Sequence, residues 1–160
     1  MKILIAVDGS QDSKTAVEEL ARRPWRPGAE VKIMHAVESA FPLLPDLMGV
    51  GAEAAREEHA RAVKEGEKLL TEMSETLRGK SGDAPKIDIN IDTEIITAAY
   101  GQTPQQVIVE EAGRYGADLV IVGSRGTSTW KRLFVGSVSM GVVQHAPCSV
   151  EVVRSKIANT

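Results

Sequence analysis

The chain has 160 residues, 19 Lys+Arg against 22 Asp+Glu, a formal charge of −3 and 42% hydrophobic residues. That length suits one domain with a core that needs no staples, and a single cysteine, Cys148, excludes an internal disulfide or a zinc cage. A mildly acidic balance without a basic block argues against duplex nucleic acid as the main partner, since that affinity comes from neutralised phosphates.

Residues 3–7 form a short β-branched apolar run closed by Asp8-Gly9-Ser10, which predicts a strand buried on both faces. The run is shorter than the ~7–15 residues of a signal-peptide core. No apolar stretch approaches the ~18 residues of a membrane span, so a cytoplasmic protein is expected. From Ser10, a plausible N-cap, the spacing of Ala16, Val17, Leu20 and Ala21 predicts a helix, which Pro24 and Pro27-Gly28 end. Val31, Ile33, Met34, Ala36 and Val37 predict a second strand.

Residues 40–51 contain Pro42, Pro45, Gly49 and Gly51 yet carry Phe41, Leu43, Leu44, Leu47, Met48 and Val50. Such an oily loop reads as a satellite cluster on the domain's edge or as a surface for an unknown protein partner. A long amphipathic helix is predicted from residue 52 to about 77, with Ala55, His59, Ala62, Val63, Gly66, Leu69, Leu70, Met73 and Leu77 on one face. Gly79 to Pro85 breaks it. Ile87, Ile89 and Ile91, alternating with Asp88, Asn90 and Asp92, predict an edge strand that extends through Glu94 toward Ala99.

Thr103-Pro104-Gln105-Gln106 is a helix start, with Thr103 as N-cap, Pro104 at the first helical position and Gln106 able to reach back to the cap. Residues 119–122 predict a buried strand ending at Gly123, residues 136–144 a helix, and residues 149–153 a final strand. Strands alternating with helices predict an α/β domain over residues 1–154, a doubly wound five-stranded parallel sheet with helices on both faces. Residues 155–160 read as a polar, frayed tail. In such sheets ligands collect outside the carboxyl ends of the strands where the winding reverses.

The candidate chemistry lies there. Gly123-Ser124-Arg125-Gly126, nine residues, then Gly136-Ser137-Val138-Ser139 combine glycines at a strand end with a glycine-serine helix start, both suited to anion-binding amides. Arg125, Lys131 and Arg132 could neutralise a polyphosphate, while the same glycines and serines also suit ordinary turns and caps. Asp8 could accept from a ribose hydroxyl or an adenine amine, or bond its own turn. Neither Gly-x4-Gly-Lys-Ser/Thr nor Gly-x-Gly-x-x-Gly after the first strand is present, which argues against a P-loop NTPase and a dinucleotide-binding domain. His35, His59, His145 and Cys148 read as structural, and no catalytic constellation emerges.

The opening residues Ile3 to Ser10, the block Gly116 to Gly126 and the complete Gly-x2-Gly-x9-Gly-Ser spacing resemble the ATP-binding branch of the universal stress proteins, over nearly the whole chain. The resemblance implies strand order 3-2-1-4-5 and bound ATP with Mg or Mn. By position, Ala6, Val7 and Asp8 would lie by the adenosine, and Val37 and Val122 would border the adenine. Gly123, Arg125 and Gly126 would approach ribose and phosphates, and Gly136, Ser137, Val138 and Ser139 would cradle the triphosphate. Arg125 stands where relatives often have histidine, which leaves its partner open, and Trp130 is bulky for its loop. A homodimer through the last strand, Val150 to Val153, is also implied. The expected function is a cytoplasmic, nucleotide-dependent stress or signalling module with slow or no hydrolysis. The alternatives are a nucleotide-independent dimeric interaction module and an ATP pyrophosphatase or nucleotidyl transferase, which Asp8-Gly9-Ser10-Gln11-Asp12-Ser13 faintly echoes. Thr127, Ser128 and Thr129 are candidate modification sites in the same loop.

Overall fold

A computed structural model describes residues 1–25, 27–39, 50–79, 89–126 and 135–156, without the side chains of 50–52. The apolar segment 40–49, the predicted break and strand start at 80–88, and the tail 157–160 lie outside the described residues. So do Thr127, Ser128, Thr129, Trp130, Lys131 and Arg132.

The elements run β1 (Lys2–Ala6), α1 (Gln11–Arg22), β2 (Ala29–Val37), α2 (Val50–Leu77), β3 (Ile89–Thr97), α3 (Pro104–Tyr115), β4 (Leu119–Gly123), α4 (Ser137–His145), β5 (Ser149–Val153). All strand pairs are parallel, in the order β3-β2-β1-β4-β5. The chain winds outward from β1 through β2 to β3, then crosses back to β4 and β5. The reversal therefore leaves a crevice at the carboxyl ends of β1 and β4.

Central strands are continuously apolar because helices cover both faces. Ile3, Leu4 and Ile5 of β1 are fully buried, each contributing about 1.5–3 kcal/mol relative to exposure. Side-chain alternation splits them: Ile3 and Ile5 join Val17 and Leu20 of α1 and Leu70, Met73 and Leu77 of α2. Leu4 joins Val107, Ile108 and Ala112 of α3 and Val142 of α4 on the other face.

Local signals set the helix ends. The Ser10 side chain accepts from the Ser13 amide at 3.2 Å, capping α1. The Thr103 amide donates to Gln106 Oε1 at 2.8 Å, with Pro104 opening α3. Gly116 closes α3 at φ 69°, a left-handed conformation that favours glycine. α2 starts at Val50, two residues before the predicted 52, and β3 runs to Thr97.

One polar cluster is built into the α3 face. Lys32 Nζ donates to Glu94 at 2.7 Å and to the buried Glu111 at 3.0 Å, while Arg114 Nε donates to Glu111 at 2.6 Å. Burial alone would lower the Lys32 pKa, but the two carboxylates outweigh it and raise it. Among the described residues no helix is long and apolar enough to cross a membrane.

Candidate functional site

A cavity of about 450 Å³ opens at the carboxyl ends of β1, β2 and β4, closed laterally by α3 and α4. Ala6, Val7 and Asp8 form one wall, and His35, Ala36 and Glu38 continue it along β2. Pro104 and Ile108 enter from α3. Val122, Gly123, Arg125 and Gly126 follow from β4, and Gly136, Ser137, Val138 and Ser139 from the start of α4. Of the residues matched by position to the nucleotide site, all but Val37 line this cavity, while Lys131 and Arg132 lie outside the described residues. Strand alternation turns Val37 inward, 4% exposed, and puts its neighbours Ala36 and Glu38 on the wall instead.

The segment after β4 has a defined polarity. The Gly123 carbonyl accepts from Ser139 Oγ at 2.6 Å, the Ser124 carbonyl from the Gly136 amide at 2.7 Å, and the Arg125 carbonyl from Ser10 Oγ at 3.0 Å. Each of these three carbonyls is thus engaged by a protein donor. The Arg125 and Gly126 amides have no acceptor among the described residues. Opposite them α4 begins at Gly136, an N-cap without a side chain, so the first amides of α4 lack both an intrahelical acceptor and a side-chain cap. The arm after β4 and the start of α4, with its positive dipole end, therefore line one cavity, an arrangement suited to an anion.

Gly123, Gly126 and Gly136 do not adopt positive φ, which in this region belongs to Gly9 at 79°. At Gly123 the requirement is spatial, since a Cβ there would stand 2.8 Å from the Ser13 backbone nitrogen, whereas one on Gly126 would meet only the end of the Asp8 side chain, Oδ2 at 2.9 Å. The Arg125 guanidinium already has a counter-ion in the protein: its Nε donates to Asp12 Oδ2 at 3.1 Å in an ion pair. The hydroxyl of Ser139 is likewise committed to Gly123, leaving its backbone amide for a ligand. Ser155, assigned to a frayed tail, is instead bonded to Asp12.

Asp8 lines the cavity and bonds its own turn. Oδ1 accepts from the Ser10 amide at 3.0 Å and holds the turn. Oδ2 faces Gly126 across the cavity mouth. Asp12, buried behind the arm, would be raised in pKa by its burial. The bonds from Ser124, Ser155 and Arg125 outweigh that and bring it down from 3.8 to about 2, so it is an anion at neutral pH.

The remaining reactive groups are held structurally. His35 Nδ1 lies 2.7 Å from the Val7 carbonyl and donates to it. His145 Nδ1 lies 2.9 Å from the Gly141 carbonyl on its own helix, and His59 Nε2 lies 3.4 Å from Thr97 Oγ1. Burial pushes the Cys148 thiol pKa up, with Asp118 adding to it, which disfavours a reactive thiolate. Among the described residues no three His, Cys, Asp or Glu side chains cluster as a metal cage.

Sequence reasoning missed Ala36, Pro104, Ile108 and Asp12 and read His35 as structural. Ala36 adjoins Val37, so a phase error of one residue accounts for it. Pro104 and Ile108 belong to a helix whose approach no local pattern reports, and Asp12 reads in sequence as an ordinary first-turn acid.

The universal stress protein family model matches residues 1–154. The chain belongs to the universal stress protein family. Universal stress protein YxiE of Bacillus subtilis is 31% identical over 156 residues, covering 96% of this chain and 98% of that one. Among solved structures, universal stress protein UspA from Lactobacillus plantarum is 28% identical, with a TM-score of 0.66 over 96% of this chain and 97% of that chain. The hypothetical protein MJ0577 is 21% identical, with a TM-score of 0.77 over 99% of this chain and 97% of that chain. For a universal stress protein the cavity sits where the doubly wound sheet puts its ligand crevice, and its lining is continuous from the β1 turn to the start of α4.

Proposed function

We propose that the chain is a cytoplasmic nucleotide-binding module taking ATP or a related adenine nucleotide, whose occupancy changes its shape or choice of partner, with slow or no hydrolysis. The observation that carries this reading is the arm whose three carbonyls are engaged by protein donors, leaving its amides opposite the uncapped start of α4. Phosphates would lie between them, and the nucleoside would extend toward Ala6, Val7, Asp8 and Val122, with Ala36 and Ile108 supplying apolar surface for a base. One solved universal stress protein is in complex with cAMP, and one from Archaeoglobus fulgidus is in complex with dAMP. They support adenine nucleotides as the ligand class for this fold.

A divalent ion fits this site as a companion of the phosphates. Asp8 Oδ2 is a hard oxygen at the cavity mouth, and magnesium is usually held by one or two carboxylates together with phosphate oxygens. The ion would offset charge on the phosphates. Asp8 would orient it and also accept from a ribose hydroxyl.

Dimerisation through β5 belongs to the same reading. β5 pairs with β4 on one side only, and Val150, Glu151 and Val152 are half-buried in the single chain, so a second copy pairing along this edge would satisfy its open backbone groups.

The deciding experiment is to purify the chain without added nucleotide, identify any small molecule released on denaturation, and titrate ATP and AMP by calorimetry with and without magnesium. Saturable one-to-one binding is expected. Absence of heat with both nucleotides at millimolar concentration would favour an interaction module that works without nucleotide. Sedimentation of the same sample reports the dimer.

A further inference from the structure

Asp12 does not line the cavity, yet it joins three separate parts of the chain behind it. Oδ2 accepts from Ser124 Oγ at 2.6 Å and from Arg125 Nε at 3.1 Å. Oδ1 accepts from the Ser155 amide at 3.1 Å, from the Ser155 hydroxyl, and from Arg125 Nη2 at 3.4 Å. The carboxylate, on the first turn of α1, thus fixes the arm after β4 and the segment after β5 at one point. Four further bonds hold the arm: the Ser124 amide donates to the Val153 carbonyl at 2.6 Å, and the Gly123, Ser124 and Arg125 carbonyls accept from Ser139, Gly136 and Ser10.

Stability alone is a poor account of this arrangement. Burying an ionised carboxylate with an arginine costs solvation that a well-packed apolar pair would not, so such pairs contribute little net stability. What the carboxylate supplies, and an apolar residue cannot, is acceptors for donors on both flanking segments. Those bonds hold the Arg125 guanidinium behind the arm and fix the Ser124 side chain, and the orientation of the neighbouring peptide groups follows. Amides meet a phosphate productively only if they are held in that orientation beforehand.

We propose that Asp12 is a positioning residue for phosphate binding, and that through Ser155 it makes the geometry of the arm conditional on the docking of the segment that follows β5. The proposal rests on the nucleotide reading above and goes beyond it: the arm would recognise phosphate through amides that Asp12 aligns, and release of Ser155 would loosen the phosphate end of the site alone. The base and ribose end, built on β1 and β2, would be untouched.

The test compares ligands that differ only in phosphate. ATP and adenosine are titrated into the full-length wild type, Asp12→Asn and Ser155→Ala, with circular dichroism and thermal melts recording the fold. Asp12→Asn keeps the side chain's size and removes the charge, and should weaken ATP about tenfold, the scale of one charge-assisted hydrogen bond, with adenosine affinity unchanged. Ser155→Ala removes one hydroxyl and should weaken ATP about threefold, again without effect on adenosine. A purely structural role would lower both ligands together or neither, and either result in a folded Asp12→Asn overturns the proposal. Should Asp12→Asn fail to fold, Ser155→Ala decides alone, and equal ATP affinity in that variant refutes it. A wild type that binds neither ligand overturns the nucleotide reading itself, and the positioning role with it.

Discussion

Replacing Gly123 by alanine tests the packing of α1 on the end of β4. The new Cβ would stand 2.8 Å from the Ser13 nitrogen, 3.0 Å from the Asp12 carbonyl carbon and 3.1 Å from Asp12 Cβ, whereas ordinary contact begins near 3.4 Å. The first turn of α1 must therefore retreat by about 0.6 Å, and because the nearest two atoms are backbone, no side-chain rotation relieves the clash. Overpacking of this kind costs about 1–3 kcal/mol. With a urea m-value near the top of the range of about 1–3 kcal/mol/M, the midpoint should fall by roughly 0.5–1 M. Gly126→Ala is the control: its Cβ would meet only Asp8 Oδ2, at 2.9 Å, a side-chain end that can turn aside. That variant should stay within about 0.5 kcal/mol of wild type. Urea melts followed by circular dichroism decide the matter. Equal midpoints for Gly123→Ala and wild type would mean that α1 does not press on β4 as described, and that the glycine answers to some other constraint.

Gly126→Val should abolish ATP binding in calorimetry while unfolding stays cooperative, because its branched side chain would occupy the space between Asp8 and the arm's amides; retained affinity would put the phosphate elsewhere. Acid should expose the Asp12 hub. Its folded pKa of about 2 lies below the ordinary 3.8, so its stabilising contribution is fully present above pH 4 and is lost as pH falls through about 2. At roughly 1.4 kcal/mol per unit this is worth about 2 kcal/mol, and the stability gap between wild type and Asp12→Asn should close over that window; a gap independent of pH would contradict the assignment. Lys32→Ala leaves the buried Glu111 with Arg114 as its remaining cation and should cost about 1–3 kcal/mol in denaturant melts. Adding Glu111→Gln to that variant should recover part of the loss, and no recovery would show that Lys32 acts through its methylene stem.

Much of the fold was legible in the sequence because its signals are local. The apolar runs at residues 3–7 and 119–122 mark strands buried on both faces, and Thr103-Pro104-Gln105-Gln106 specifies a helix start through bonds spanning only three residues. The lining of the cavity was legible in part through the glycine-serine spacing, which fixes where amides can gather. Val37 marks the limit: a strand whose extent is legible still needs the phase of its alternation to say which side chain faces the cavity. Arg125 marks another, since a cation in a glycine loop looks available until its counter-ion, far away in sequence, is known.

By itself the sequence determined the alternation of strands and helices, their caps, and the pairing of a glycine-rich strand end with a glycine-capped helix. Each follows from side-chain chemistry acting over a few residues. Tertiary structure alone decided the direction of the arm's amides, the withdrawal of Arg125 onto Asp12 and the docking of Ser155. Those features depend on contacts more than a hundred residues apart in the chain, Asp12 to Ser124, Arg125 and Ser155, and no local pattern encodes a bond whose partner arrives only when the sheet has closed.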